Sequence, residues 1–283
     1  MRLAHLILAH TNPLQLERLV RRLMFSETDI FIHLDKKSDQ NKFIYLEKLP
    51  NVVFIKNRTI VTWGDYSMVK ATLLSMEQIL DNQYHYSHIN LLSGQDYPLK
   101  AASEIQRFLF SHPGKTFMKS FSIYEDWTEA IVRLTNYHFA DYNYPFKSRI
   151  QGVLNKVLPR KRLPTSLTPY GLSQWFTIAP EHARYVINYL KENKSIERFF
   201  SRTWGADELV FQTILLNSHL KEDVINSYLR YIKFPNGASR PTVFTRANAK
   251  DIMDSERFFA RKFDIGVDDD VLDYIDACID NKT

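Results

Sequence analysis

The sequence predicts an α/β protein in which helices cover both faces of a mainly parallel, twisted sheet. Two observations support this fold class. In the first half of the chain, short apolar runs typical of buried strands alternate with segments whose apolar residues recur at helical spacing. In addition, no linker interrupts the 283 residues, a length that suits one large α/β domain. We therefore expect residues 1–283 to form a single domain.

The strands and helices of the first half are predicted from their apolar patterns. A helix begins at Pro13, because proline suits the first helical turn, and Leu16 and Leu19 lie on its apolar face. The predicted strands are 3–8, 29–34, 51–55, 87–92 and 116–118, and the predicted helices are 13–24, 67–79 and 102–109.

The second half is less regular. Residues 172–178 and 242–245 are predicted to be strands, and 180–192 and 207–216 to be helices. Segment 146–163 has apolar residues near helical spacing, six Lys and Arg, and no acidic residue. Such a helix either lies on an anionic membrane or packs an ordinary amphipathic face against the core. Both interpretations are open at this point.

The composition is that of a globular protein, with 45% hydrophobic and 24% charged residues. A net charge of +5 favours anionic ligands, but it does not choose among nucleic acid, acidic lipid and phosphorylated small molecules. The basic residues are scattered outside 146–163, so we expect no nucleic-acid partner. The single cysteine, Cys278, and an N-terminal apolar run that is too short for a signal peptide favour the cytoplasm.

Polar residues follow three of the predicted strands. In open α/β sheets ligands bind beyond the carboxyl ends of parallel strands. This rule selects His10, Asp35 and the turn 93–98. A carboxylate at such a place can accept hydrogen bonds from a base or a ribose, but Asp35 is equally explained as the cap of the turn that follows its strand.

Two further sets of charged residues also have two interpretations each. Asp207 is explained as the cap of the following helix, whereas Glu208 could be a general base, because a helix N-terminus favours an ionised carboxylate. The cations of 240–246 and 258–264 are either solvated surface charges or an anion site. The sequence has no Walker loop, no dinucleotide-binding glycine motif and no helical histidine pair with metal-ligand spacing, so we expect no metal.

Six motifs, in order along nearly the whole chain, resemble the core-2/I-branching β-1,6-N-acetylglucosaminyltransferase family, which includes the peptide xylosyltransferases. The chain looks like a bacterial-type member. Residues 92–98, Leu-Ser-Gly-Gln-Asp-Tyr-Pro, are close to the family's Leu-Ser-(Gly/Glu)-x-Asp-(Tyr/Phe)-Pro. The other matching segments are 33–38, 63–71, 173–176, 206–208 and 259–264.

This resemblance implies a Rossmann-like GT-A fold, with a nucleotide-sugar-binding half at 1–120 and an acceptor-binding, catalytic half at 121–283. It implies an inverting transferase that forms a β-linkage without a metal or another cofactor. The donor would be a UDP-sugar carrying N-acetylglucosamine or xylose. The acceptor would be a glycan or lipid-linked glycan of cell-surface glycan synthesis, reached from the cytoplasmic face of the membrane.

The resemblance also implies roles for single residues. Glu208 would be the base and Lys262 would hold the diphosphate, with His10 and Asp35 on the nucleoside side and with Gln95, Asp96, Ser173 and Trp175 on the sugar or acceptor side. The family's second phosphate cation is an Arg, and the position aligned with it here is Thr242. Arg240 could replace it, because residues two apart on a strand share a face, and Arg246 is the other candidate. Gln95 stands where branching enzymes often have an acidic residue, so their acceptor specificity does not carry over.

The implied mechanism is a single displacement at the anomeric carbon. Glu208 would take the proton of the acceptor hydroxyl, while Lys262 and an Arg would stabilise the charge that a metal normally stabilises on the leaving UDP. Two other classes of function compete. An inactive sugar- or nucleotide-binding relative would have lost the base, but Glu208 is present. A basic nucleic-acid-binding protein would explain the charge, but not six ordered motifs.

Overall fold

The computed structural model describes residues 1–138, 146–164, 166–235, 237–238 and 240–281. Within these ranges the strands are β1 Arg2–Ala9, β2 Thr28–Leu34, β3 Val52–Phe54, β4 Tyr86–Ser93, β5 Asp96–Pro98, β6 Thr116–Phe117, β7 Ser120–Ser122, β8 Tyr170–Leu172, β9 Thr177–Ile178, β10 Val224–Ile225, β11 Arg230–Ile232 and β12 Phe259–Arg261. The helices are α1 Pro13–Leu23, α2 Tyr66–Leu80, α3 Ala102–Phe110, α4 Ile131–Thr135, α5 Lys147–Val157, α6 Pro180–Glu192, α7 Lys194–Phe200, α8 Val210–Leu216, α9 Ala249–Asp254 and α10 Asp270–Asp280.

The chain forms two compact units, each built from separate segments. Unit 1 comprises Met1–Lys56, Gln83–Pro113 and Tyr228–Thr283, and unit 2 comprises Asn57–Asn82 and Gly114–Ser227.

Unit 1 contains a parallel sheet in the order β3-β2-β1-β4. In its centre, Ile7 is paired with Ile32 on one side and with Leu92 on the other. Strands β2 and β4 are buried along their whole length, as expected of parallel strands covered on both faces. The predicted α/β class with a mainly parallel sheet is confirmed.

A smaller sheet in unit 1 joins β12 to β11 in parallel and to β5 in antiparallel orientation. The side chain of Arg230 on β11 is buried and donates to Asn90 Oδ1 at 2.6 Å and to Leu91 O at 2.7 Å. The Asn90 amide in turn lies 2.9 Å from His5 Nδ1. Burial, reinforced by the Arg230 cation, lowers the pKa of His5 to about 3, so its ring is neutral and can accept this hydrogen bond.

An ion-pair network connects the last helix of unit 1 with its first. Arg18 on α1 lies 2.5 Å from Asp273 and 2.8 Å from Asp276, both on α10. The hydroxyl of Tyr97 on β5 donates to Asp276 at 2.8 Å. The Arg18 fork therefore joins residues that are about 250 positions apart in the chain.

Unit 2 combines short strands with helices. Strand β6 pairs in parallel with β10 and in antiparallel orientation with β9, and β7 pairs with β8. Helix α6 packs against α2, α7 and α8. The Gly171 backbone on β8 lies so close to the turn before α8 that a Cβ there would be 2.5 Å from the carbonyl oxygen of Glu208. Glycine at this position therefore allows β8 to support the turn that carries Glu208.

Three predicted segments differ in the structure. The predicted strand 172–178 is divided into β8 and β9, because the Ser173 hydroxyl accepts the Trp175 N–H at 3.2 Å and forms a turn between them. Residues 242–245 form no regular strand among the described residues, although the Thr242 N–H donates to Lys233 O at 2.8 Å. The helix predicted from Asp207 begins only at Val210, after a 3₁₀ turn at Ala206–Glu208.

The helix predicted within 146–163 is confirmed as α5. Its apolar face, however, is not packed against the core. The exposed fractions of Ile150, Val153 and Val157 are 43%, 59% and 76%, so packing of this apolar face against the core is wrong. Among the described residues, no helix is both long and apolar enough to span a bilayer.

Candidate functional site

In unit 1, two predicted site residues lie side by side where β1 and β2 end. Ala9 is paired with Leu34, which places His10 and Asp35 at neighbouring carboxyl ends. The Asp35 N–H donates to Ala9 O at 2.8 Å, and the Ser38 hydroxyl donates to His10 O at 2.7 Å. The strand-end rule therefore brought these residues together correctly.

The Asp35 carboxylate caps the turn after β2. Its Oδ1 accepts the Lys37 N–H at 2.9 Å, and its Oδ2 lies 3.5 Å from Lys37 Nζ. The capping interpretation is confirmed, and a contact of Asp35 with a nucleoside stays a prediction.

Asp96 does not fit its predicted contact with sugar or acceptor. Its exposed fraction is 0%, Oδ2 accepts the Ser93 N–H at 3.1 Å, and Oδ1 accepts Arg261 Nη1 at 2.7 Å. The neighbouring Gln95 is half-buried, and its carbonyl accepts the Phe263 N–H at 2.9 Å. Asp96 therefore fixes the turn after β4 and the Arg261 guanidinium. A contact of Gln95 with the sugar or the acceptor stays a prediction.

Lys262 follows β12 and is held there by its backbone. Its N–H donates to Thr242 O at 3.3 Å, and its carbonyl accepts the Phe244 N–H at 2.9 Å. Partial burial lowers the pKa of Lys262, the Arg261 and Arg240 cations lower it further, and Asp264 opposes them. Among the described residues, Lys262 Nζ forms no ion pair. We call Lys262, Arg261 and Arg240 the cation cluster.

His10 lies close enough to Lys262 and Arg261 for their charges to affect its pKa. Loss of hydration lowers the pKa of His10, and Lys262, Arg261 and Lys37 add to the effect while Asp35 opposes it. The imidazole is therefore neutral near pH 7. Arg261 had no predicted role, although it stands inside the motif 259–264.

The two arginines predicted as alternative phosphate ligands have different surroundings. The charge of Arg240 acts on Lys262. Arg246 instead lies 3.7 Å above the Tyr274 ring on α10, and its backbone N–H donates to Asp268 at 2.9 Å. The structure therefore favours Arg240 as the partner of Lys262.

If Arg240 holds the diphosphate as predicted, we expect Arg240→Ala to weaken UDP binding about tenfold, because it would remove one charge-assisted hydrogen bond. Arg246→Ala should leave UDP binding within about twofold and lower the free energy of unfolding by about 0.5–1 kcal/mol, through loss of the contact with Tyr274. Calorimetric titration of both variants with UDP, together with denaturant unfolding, checks this pair. Weaker UDP binding in the Arg246 variant alone would reverse the assignment.

In unit 2, Glu208 lies in a turn rather than inside a helix. Gly205 adopts a φ of 68°, which glycine tolerates without strain, and starts the 3₁₀ turn Ala206–Glu208. No side chain caps this turn or α8, so the predicted capping role of Asp207 is wrong.

The Glu208 carboxylate is held by an arginine that the sequence did not single out. Arg133 Nη1 donates to Glu208 Oε2 at 2.6 Å. The guanidinium lies between two rings, 4.7 Å from that of Trp127 and 4.4 Å from that of Trp204. Desolvation raises the pKa of Glu208, and Arg133 opposes this rise. The carboxylate is therefore oriented and more basic than an ordinary glutamate.

Asp207 is more deeply buried than Glu208. Its exposed fraction is 7%, and Oδ1 has no hydrogen-bond partner among the described residues. Burial raises the pKa of Asp207 to about 7, with the Glu208 and Asp65 charges adding and Arg133 opposing. Asp207 therefore releases its proton only near neutral pH.

We expect Asp207→Asn to change how stability depends on pH. Because its pKa is raised, the folded state holds this proton more tightly than the unfolded chain, so the free energy of unfolding falls as pH rises from about 4 to about 7. The amide cannot ionise, so the variant should lose this fall and be more stable above pH 7 than the wild type. Denaturant unfolding across this range measures it, with the exposed Asp251→Asn as control. Equal slopes for wild type and Asp207→Asn would refute the shifted pKa.

The predicted acceptor residues Ser173 and Trp175 lie in the turn between β8 and β9. Gln212 on α8 donates to Ser173 O at 2.5 Å, which fixes this turn. Trp175 is 9% exposed, so only a small part of its ring could contact a sugar. Both acceptor roles stay predictions.

Within the ranges that the structure describes, no three His, Cys, Asp or Glu side chains are grouped closely enough to hold a metal ion. The positive charge that the described residues offer an anion in unit 1 comes from Lys and Arg.

Comparison with known proteins gives a family match over most of the chain. The family model described as Core-2/I-Branching enzyme matches residues 3–258. The chain is 25% identical to Xylosyltransferase 2 of Rattus norvegicus over 308 residues, covering 97% of this chain and 33% of that protein. It is 25% identical to Xylosyltransferase oxt of Drosophila melanogaster over 224 residues, covering 77% of this chain and 24% of that protein. The chain thus spans at most a third of these relatives.

Two solved structures show weak similarity. Mouse xyloside xylosyltransferase 1, apo form, has a TM-score of 0.37 and 11% identity, covering 78% of this chain and 83% of that one. Staphylococcus aureus TarS 1–349 has a TM-score of 0.32 and 14% identity, covering 69% of this chain and 49% of that one. Scores of this size carry no conclusion about activity.

Proposed function

This chain belongs to the Core-2/I-Branching enzyme family, and from that premise we propose that it is a glycosyltransferase acting on a UDP-sugar. The proposed reaction transfers the sugar to an acceptor hydroxyl with inversion at the anomeric carbon, forming a β-linkage. The observation that carries the proposal is the Glu208 carboxylate, raised in basicity by desolvation and fixed by Arg133 at 2.6 Å.

Glu208 supports the role of general base in two ways. Its Oε2 is occupied by Arg133, whereas Oε1 has no hydrogen-bond partner among the described residues and can accept a proton. A base works best when its pKa approaches the working pH, and the desolvation of Glu208 moves it in that direction. In the proposed step the acceptor hydroxyl gives its proton to Glu208, its oxygen bonds the anomeric carbon, and the bond from that carbon to UDP breaks.

The leaving UDP gains negative charge on its β-phosphate, and we assign its stabilisation to the cation cluster. Lys262 and Arg240 offer an ammonium and a guanidinium, and Asp96 fixes the guanidinium of Arg261 beside them at 2.7 Å. Cations already in place where charge develops lower the barrier without reorganising. We therefore propose that transfer proceeds without a divalent metal.

We propose xylose before N-acetylglucosamine as the donor sugar, because the relatives that align with this chain are named xylosyltransferases. We propose a glycan or lipid-linked glycan as the acceptor, met at the cytoplasmic face of a membrane.

The test is a donor screen with excess chelator. Purified protein is incubated with UDP-xylose, UDP-N-acetylglucosamine, UDP-glucose or UDP-galactose, and UDP release is measured against Glu208→Gln as the background. Release from UDP-xylose above that background, unchanged by chelator, supports the proposal. Release that requires a divalent ion would refute the metal-free mechanism, and release from none of the donors by protein that binds UDP would favour the inactive relative.

A further inference from the structure

Helix α5 of unit 2 exposes a continuous apolar surface. Ile150, Val153 and Val157 are three and four positions apart and so share one face of the helix. Phe146, four positions before Ile150, extends the row and is itself exposed. We call these four residues the apolar stripe.

Helix α5 contacts unit 2 through side chains that lie away from the apolar stripe. Two amide side chains of α5 form hydrogen bonds with unit 2: Asn155 Oδ1 accepts the Tyr137 N–H at 2.7 Å, and Asn155 Nδ2 donates to Tyr137 O at 2.9 Å. Gln151 Nε2 lies 3.5 Å from His138 Nδ1 on the same side. The polar face of α5 is therefore attached to unit 2, and the apolar stripe is left outside, in contrast to a surface helix that buries its apolar face.

Exposed cations accompany the stripe. Arg149 and Lys156 lie on α5, and Arg160 and Arg162 lie in the segment that follows it. None of these four forms an ion pair with a described residue. No acidic residue occurs from 146 to 163, so nothing within this segment neutralises them.

The segment after α5 is anchored by an internal lysine. Lys161 is buried, and its Nζ donates to Arg202 O at 2.6 Å and to Thr203 Oγ1 at 2.7 Å. Its backbone N–H donates to Thr135 O at 2.8 Å. Lys161 is thus a structural residue that fixes the end of the segment, and the cations on both sides of it stay in solvent.

We propose that α5 is a membrane-docking helix that inserts the apolar stripe into the interface of an anionic bilayer. Charge complementarity selects this occupant. A bilayer surface carries both an apolar layer for the stripe and anionic headgroups for Arg149, Lys156, Arg160 and Arg162. The inference does not depend on the transferase proposal, because vesicle binding is measured without any donor or acceptor.

The first test is flotation of the full chain with vesicles. We expect binding to vesicles of phosphatidylcholine and phosphatidylglycerol in equal amounts, and weak binding to phosphatidylcholine alone. Arg149→Gln with Lys156→Gln should lower the partition coefficient about 30-fold, since each cation near an anionic surface contributes about fivefold. The control removes two exposed lysines elsewhere, Lys42→Gln with Lys48→Gln, and should retain binding. Equal losses in both pairs would overturn a localised docking surface.

A second variant tests the stripe itself. Val153→Glu should lower the partition coefficient at least about tenfold, because it replaces an exposed apolar group, proposed to insert into the bilayer, by an anion facing anionic lipid. Val267 is a valine of similar exposure in unit 1, so Val267→Glu is the matched control and should bind like the wild type. Wild-type protein that does not float, or Val153→Glu that floats like the wild type, refutes the proposal. The proposal is also refuted if the stripe mediates self-association, in which case the wild type would be a dimer and Val153→Glu would be a monomer.

Orientation is tested with a polarity-sensitive dye on a single cysteine, in a Cys278→Ser background. A dye at Val153→Cys should shift its emission to the blue on adding anionic vesicles. A dye at Ser148→Cys, which is exposed but lies about 140° around the helix, should shift little. Equal shifts at both positions, or none at either, would overturn insertion through the stripe.

Discussion

Replacement of Glu208 by glutamine should lower the rate of sugar transfer about 10²–10⁴-fold, because the amide cannot accept the acceptor proton. The amide is nearly the same size as the carboxylate, and Arg133 can still donate to its oxygen, so the turn should keep its structure. UDP affinity should change by less than about twofold, because the proposed diphosphate ligands are Lys262 and Arg240.

Two measurements separate this result from misfolding. Calorimetric titration with UDP reports whether the donor side is intact, and UDP release with the active donor reports turnover. Glu181→Gln is the matched control, since it makes the same change at an exposed position on α6 and should retain wild-type turnover. If the Glu208→Gln variant transfers sugar at the wild-type rate, Glu208 is not the general base.

Replacement of Lys262 by alanine should weaken UDP binding about 10–100-fold in the presence of chelator. The reason is the loss of a charge-assisted hydrogen bond, worth about 1.5–3 kcal/mol, to the diphosphate. Turnover should fall as well, because the same ammonium would stabilise the leaving group. Lys48→Ala removes an exposed lysine elsewhere in unit 1 and serves as control.

The dependence of UDP binding on salt adds a second readout. Because the cation cluster is proposed to meet the diphosphate directly, UDP binding should weaken as ionic strength rises, and Lys262→Ala should show a smaller dependence. Wild-type affinity in the alanine variant would contradict the assignment. UDP affinity that appears only with a divalent ion would show that a metal, rather than Lys262, balances the phosphate charge.

The sheet of unit 1 could be predicted from sequence because its strands are short runs rich in apolar residues, which are stable when they are buried between helices. The rule that ligands bind beyond the carboxyl ends of parallel strands then selected His10 and Asp35, and the structure places the two residues side by side. The same reasoning failed between 172 and 178, where the Ser173 hydroxyl competes for a backbone N–H and breaks the strand.

The partners of the site residues were less accessible to sequence reasoning. Arg133 is 75 positions from Glu208, and only tertiary packing between Trp127 and Trp204 selects it from the other arginines. Asp96 belongs to a motif that predicts contact with sugar, yet its carboxylate fixes Arg261. Spacing identifies which residues share a turn, but not which side chain faces outward.

Helix α5 shows the same limit for amphipathic patterns. The spacing of Ile150, Val153 and Val157 defined the apolar face correctly, but the pattern cannot say which face is attached. The pair of hydrogen bonds from Asn155 to the Tyr137 backbone settles it in favour of the polar face.

The order of the segments in unit 1 also affects how the chain folds during synthesis. Within unit 1, residues 1–56 are synthesised before the other two segments, and β11, β12 and α10 emerge only with its third segment, Tyr228–Thr283. Until then Arg18 lacks its aspartates on α10, and β5 lacks its partner strand β12. Unit 2 is complete in sequence once Ser227 has emerged. The nascent chain therefore carries unit 1 without β11, β12 and α10 while residues 114–227 are being translated, a period in which chaperone protection would matter most.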